Sequence, residues 1–421
     1  MAPKKYGRVS RTSALLIPGG LVHPHVHLDK CYLLQQTPIG DGSFPEALAK
    51  TGEAKAKFTH EDLIARGDRL LKASLQHGIT TVRAHVEVDP AVDTKCLEAG
   101  LELCQATSDH LDVKLVAFAQ DPLFYPENQD RQAKMQHLFK IDVISLLMLN
   151  RNHITAVGST PYVEKTRELA LRNIDFIIDL ARANLLDVDF HLDYNLDSEQ
   201  QPTIFYVLDR ARSVAFEGRI TIGHATRLSL FSQEEWDRLA RSCNGLDVAF
   251  VALPPSDLYM QGRDYPYAKR SRASLPVLEL VKRNIPVSMG VNNVGNLFTP
   301  QGDADPMDLL PLAVALWQSA TPTHLEAFLS MVSTAAAHAA GARIQQPERV
   351  DARLVDFEID DDNVVRIFSG QALASHCETF TLLPRCQSVQ EAVLSPPRSR
   401  IAVVHNRAVG WTKVDQGVFS P

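Results

Sequence analysis

The sequence predicts a (β/α)8 barrel of the TIM type, an α/β fold, carrying a small β-rich appendage formed mainly by the C-terminus. Three observations predict it. Eight short apolar, β-branched runs recur between residues 21 and 293, near-continuously apolar toward their starts as parallel strands under helices must be. The longer stretches between them have helical spacing, so strand and helix alternate. Beyond about residue 343 that alternation gives way to short strands and polar turns. A doubly wound open sheet is the competing architecture; it accommodates eight even units poorly, and no G-x-G-x-x-G follows the first run.

In order, residues 1–17 form a short N-terminal segment whose run over 5–17 can add a strand to the appendage. The barrel is assigned to 18–342, with strands LVHPHVHL (21–28), TTVRAHVEV (80–88), DVKLVAFAQ (112–120), ITAVGST (154–160), DVDFHLD (187–193), RITIGHA (219–225), DVAFVALP (247–254) and IPVSMGVNN (285–293). A helix is expected over 61–77, opened by Thr59 as N-cap with Glu61 and Asp62 behind it and closed by His77-Gly78. Another spans 165–184, where Ile174, Ile177, Ile178 and Ala181 share one face. Helical spacing returns near 324–340. The appendage, 343–421, offers strands at 353–359, 363–368, 378–384 and 400–405, with a turn at Asp360-Asp361-Asp362-Asn363.

The chain has 421 residues, 45% hydrophobic and 22% charged, which suits a globular protein with a large core and excludes a disordered tail or a disulfide scaffold. Its 43 basic and 50 acidic residues leave a formal charge of -7, against a general nucleic-acid or anionic-membrane binder. Cys31, Cys96, Cys104, Cys243, Cys377 and Cys386 form no C-x-x-C pair. With no apolar leader and no membrane-length span, the expectation is a cytoplasmic protein.

The chemistry centres on His25-Val26-His27. Residues i and i+2 of a strand share a face, so both imidazoles aim at one spot, and the C-terminal end of a barrel strand is where active sites lie. Imidazole is the commonest protein metal ligand, although a short H-x-H alone also fits a pair of surface or hydrogen-bonded histidines. His191 in DVDFHLD and His224 in RITIGHA stand at the ends of two further strands. Four histidines at strand ends favour a metal site.

The set PHVHLDK, VRAHVEV, VAFAQ, DFHLD, IGHAT, MQGRDYPYAKR and GVNNVGNLFTPQGDADPM resembles the cytosine deaminase-like branch of the metal-dependent amidohydrolases, in order from about residue 18 to 342. SVQEAVLSPPRSRIAVV (388–404) is a weaker echo of that branch's appendage. The resemblance implies one divalent ion, zinc or iron, held by His25, His27 and His191 together with an Asp of the eighth strand. It implies that His224 contacts the bound water and substrate, that Gln120 binds the ring edge, and that a Glu three residues after His191 shuttles protons.

Two positions depart from that pattern. Asn292 stands where the strand-eight Asp is expected, and Tyr194 where the shuttle Glu is expected. Asn offers a metal only a carbonyl oxygen and cannot act as a base, and Tyr is a poor base at its ordinary pKa. Three neutral imidazoles with an open position still suffice for a catalytic site with metal-bound hydroxide as nucleophile. The leaving group's proton would come from His224, Asp193 or Tyr194; Asp193, two residues after His191, equally suits a role orienting a ligand or bridging to a helix. Lys30 fits an anion-binding or a surface role. His85 and Glu87 share a face and suit an internal ion pair or the pocket wall, and Gln261 and Arg263 shape the loop after strand seven. His60-Glu61 has no second His four residues after His60, so the zincin pattern fails. The expected function is metal-dependent hydrolysis of a C–N bond in a cyclic amide, amidine or amino-heterocycle, with a small-molecule substrate, no nucleic acid, no membrane and homo-oligomerisation left open. The alternatives are non-hydrolytic chemistry (cyclisation, isomerisation or a lyase step) and a catalytically inactive ligand-binding paralogue.

Overall fold

A computed structural model describes residues 8–368 and 378–411. Its strands are β1 (Val9–Pro18), β2 (Leu21–His27), β3 (Ile79–Glu87), β4 (Asp112–Ala119), β5 (Ile154–Ser159), β6 (Asp187–Leu192), β7 (Ile220–His224), β8 (Val248–Ala252), β9 (Val287–Met289), β10 (Arg353–Ile359), β11 (Val365–Phe368), β12 (Phe380–Pro384), β13 (Ile401–Val404) and β14 (Arg407–Trp411). Strands β2 to β9 form one eight-stranded parallel sheet in sequence order. These are the eight runs expected above.

The sheet closes at its ends. Val26 bridges Asn292 in parallel, and the His27 amide donates to the Asn292 carbonyl at 2.9 Å. Helices cover the outside through apolar faces. In the helix Arg167–Asn184 the residues Ile174, Ile177, Ile178 and Ala181 are all fully buried. The Thr166 hydroxyl caps it by accepting from the Leu169 amide. Thr59 does the same for His60–Gln76 through the Asp62 amide at 3.2 Å, and Gly78 leaves that helix at φ +85°, a conformation that favours glycine.

The second sheet is antiparallel, in the order β11-β10-β1-β12-β13-β14. The N-terminal strand is therefore central in the appendage, flanked on both sides by strands from the far end of the chain. Residues 5–7 of the expected N-terminal run lie outside the described residues, as does Cys377. Strand β14 was not expected. It follows β13 through His405 and Asn406, at φ 49° and 59°, a two-residue hairpin turn with both central residues left-handed. Another addition is the helix Phe44–Lys55 in the long β2–β3 connection, capped by Ser43 and started by a proline. Among the described residues no helix is long and apolar enough to cross a membrane.

Candidate active site

The C-terminal ends of the barrel strands surround a partly open cavity. Strand geometry brings His27, His191 and His224 to its lining, with His25 packed against them. His25 and His27 project from β2 at ring-centre separations of 4.6 and 5.3 Å from His191 on β6, and 5.4 Å from each other. Asp193, His224 and Asn292, at or just beyond three strand ends, have φ of 48°, 62° or 65°. Such left-handed backbone is uncommon outside glycine and gathers at functional sites; here it turns the chain sharply at the barrel mouth.

The imidazoles carry the signature of cation ligands. Both ring nitrogens of His25, Nδ1 of His27 and Nε2 of His191 are buried without a hydrogen-bond partner, an arrangement that costs free energy unless something else satisfies the lone pairs. Burial first, then neighbouring positive groups, holds all three well below the usual imidazole range. They are therefore neutral, the form that ligates metal. Asn292 donates its Nδ2 to Ser256 Oγ at 2.7 Å, which leaves its Oδ1 buried and unpartnered. A divalent cation fits this donor set.

Two groups bring potential ligand atoms within 4.8 Å of one another, His25, His85, Asp189 and His191, and His27, Asp29 and Glu87. In the first, Asp189 is tied to Arg83 Nε at 2.9 Å and lies 3.2 Å from His85 Nε2, while His85 stacks on His25 at 3.9 Å. The second lies against two ammonium groups. Glu87 pairs with Lys30 at 2.8 Å and Lys55 at 2.5 Å. Burial alone would raise the Glu87 carboxyl, yet Lys30 and Lys55 bring it down to about 2. A cation there would meet those charges, so the imidazole cluster is the better candidate.

Around the histidines the wall is aromatic. Phe44, Tyr162, Tyr194 and Phe298 line the cavity, with Tyr194 5.6 Å from Phe44 and 5.8 Å from Tyr162. Lys30 also lines it but is buried, and it donates to Glu87 and, at 3.1 Å, to Gln120 Oε1. Gln120 is thus fixed at the wall. Arg263 donates to the Gly42 and Asp41 carbonyls at 2.5 and 3.2 Å, and Gln261 donates to the Tyr194 carbonyl at 3.3 Å. His60, on an exposed helix start, pairs with Glu102 instead.

No family model matches the chain. A pterin deaminase of Rhizobium rhizogenes is 26% identical over 309 residues, 70% of this chain and 65% of that protein. An N-isopropylammelide isopropyl amidohydrolase of a Pseudomonas species is 23% identical over 300 residues, 69% and 66%. The chain thus spans just under two thirds of the length of these curated relatives. The 5-methylcytosine deaminase of Klebsiella pneumoniae superposes with a TM-score of 0.77 at 22% identity, over 96% of this chain and 88% of that one. The chain is similar in sequence to both relatives and shares the fold of this deaminase.

The described residues that line the cavity include no carboxylate. Asp193 is not brought to the cavity. It accepts from Thr203 N, Thr203 Oγ1 and Ile204 N at 2.7, 2.8 and 3.1 Å, fixing the start of the helix Ile204–Ser213. Tyr194 does reach the cavity, where burial and the nearby Asp257 push its phenol well above its usual range. Sequence reasoning missed Asp257, whose Oδ1 lies 2.6 Å from His224 Nδ1. The signal was a carboxylate in the first turn after the seventh barrel strand, in PPSD. It also missed Ser256, Asn293 and the aromatic wall residues Phe44, Tyr162 and Phe298, which loops supply without any period to read.

Proposed function

We propose that this chain is a metal-dependent hydrolase that exchanges a C–N bond of a small nitrogen heterocycle or cyclic amide for a C–O bond. One divalent ion, zinc or iron, would be held by His25, His27 and His191, with the Asn292 carbonyl oxygen facing the same space. The observation that carries the reading is the convergence of three buried, neutral imidazoles with unpartnered nitrogens beside an aromatic-walled cavity. When bound, such an ion polarises the scissile carbon's substituents and lowers the pKa of water.

The protein's own residues do the rest. Flat faces of Phe44, Tyr194 and Phe298 suit a planar ring. Gln120, held between Lys30 Nζ and the Tyr162 hydroxyl, offers a fixed amide to the ring edge. His224 lines the cavity as the proton carrier. The five described cysteines are free and buried, which suits a reducing compartment such as the cytoplasm.

The test is metal analysis joined to turnover. Protein stripped with chelator and reloaded with Zn²⁺ or Fe²⁺ is expected to hold about one ion per chain, and His25→Ala, His27→Ala and His191→Ala each to lose it. Pterin, 5-methylcytosine and N-isopropylammelide are the probes, in ¹⁸O-labelled water. Release of ammonia or amine with solvent oxygen in the product is expected. A protein that binds no ion, or a product without solvent oxygen, overturns the proposal.

A further inference from the structure

We infer that Asp257 is a positioning residue for this chemistry, holding the His224 ring so that Nε2 presents its lone pair to the cavity and handles the protons that positions 194 and 292 no longer can. The inference rests on the hydrolase reading above and names the carboxylate that it needs. Among the described residues, the cavity wall is built of histidine, lysine, amide, hydroxyl, aromatic and leucine side chains and contains no carboxylate. Asp193 is spent on a helix start, and Asn292 and Tyr194 cannot take a proton. His224 is the remaining group.

The geometry fixes that histidine. His224 Nδ1 and Asp257 Oδ1 are 2.6 Å apart with the carboxylate fully buried. Nδ1 therefore donates, and the tautomer with a free Nε2 is selected. The support is rigid: Pro254 and Pro255 open the short helix that carries Asp257, and its amide donates to the Leu253 carbonyl at 3.0 Å. The preceding residue, Ser256, accepts from Asn292 at 2.7 Å. Two consecutive residues thus hold the side chains presented by the ends of β7 and β9. Tyr194 packs on the other side of the imidazole at 4.5 Å between ring centres, and His191 at 5.0 Å, so the ring has little room to turn.

The proton route balances. A water oxygen bonds the ring carbon as its proton passes to Nε2 of His224. The C–N bond then breaks, and Nε2 returns that proton to the departing nitrogen. The imidazole ends as it began, and the product carries the water's oxygen.

Two measurements test this. In protein labelled with ¹⁵N-histidine, the His224 ring signals, assigned by their loss in His224→Gln, are expected to report the Nδ1–H tautomer in the native chain and a changed tautomer in Asp257→Asn. On any probe that the native enzyme turns over, Asp257→Asn is expected to lower kcat about a hundredfold with KM nearly unchanged, its metal content staying native. An Nε2–H tautomer in the native chain overturns the inference, as does a kcat within about threefold of native. If the native chain turns over no probe, the hydrolase reading fails on those substrates, while the ring signals still decide whether Asp257 sets His224; they also decide if Asp257→Asn does not fold.

Discussion

The backbone amide of His27 donates to the carbonyl of Asn292 at 2.9 Å, so a proposed metal ligand and the residue replacing an expected carboxylate share one hydrogen bond at the barrel seam. Their side chains leave the same point of the wall. Asn292 is also held through Ser256 with its Oδ1 unpartnered, an arrangement an Asp could adopt with little backbone change.

Asn292→Asp is accordingly expected to raise affinity for a divalent ion by about tenfold or more, since a carboxylate adds a full charge where the amide oxygen offers a dipole. Competition against a chelator of known affinity measures it. Unchanged affinity would mean that position 292 does not face the ion.

Asp193 separates a structural carboxylate from a catalytic one. Its three bonds to Thr203 and Ile204 are a helix-start contact, so Asp193→Ala should cost about 1–2 kcal/mol of stability and leave the metal stoichiometry at its native value. Denaturant unfolding beside elemental analysis checks both. Loss of metal with stability intact would reverse the assignment.

His23 predicts a pH dependence. Burial, with His77 nearby, brings its imidazole down to about 3. The folded chain refuses a proton that the unfolded chain accepts below its ordinary pKa of about 6.5. Its contribution is complete above about pH 6.5 and falls by about 1.4 kcal/mol per unit as the pH drops toward 3. His23→Gln, neutral throughout, should show a shallower decline in unfolding free energy between pH 6 and 4. Parallel curves for the two proteins would refute it.

Gly158 on β5 predicts a steric lesion. A Cβ there would lie 2.1 Å from the Asp189 carbonyl oxygen and 2.9 Å from a Phe118 ring carbon. Backbone cannot yield as a flexible side chain does, so Gly158→Ala should lose about 3 kcal/mol or more. A denaturation midpoint equal to the native protein's would contradict this.

Much of the architecture was readable because it is periodic. The eight barrel runs became β2 to β9, and the Ile174 to Ala181 face is buried as its spacing required. The gathering of His25, His27 and His191 was readable for the same reason, since an extended strand fixes where each side chain points. That rule ends where the strand ends. Asp193 lies two residues after His191 but at φ 48°, and the turn sends its carboxylate to a helix start instead of the cavity. Asp257, Phe44 and Phe298 reach the site through loop and short-helix geometry that no local pattern encodes. The hairpin before β14 was missed because His-Asn is a weaker turn signal than Asn-Gly.

The place of β1 has a consequence for synthesis. Arg11 meets Asp356, 345 residues later in the chain, and both neighbours of β1 come from beyond residue 350. On the ribosome β1 must wait, with both edges unsatisfied, until β10 and β12 have emerged. The barrel strands can assemble meanwhile, whereas the outer sheet locks only after them, and a product cut short before β10 would leave β1 free to pair with another chain.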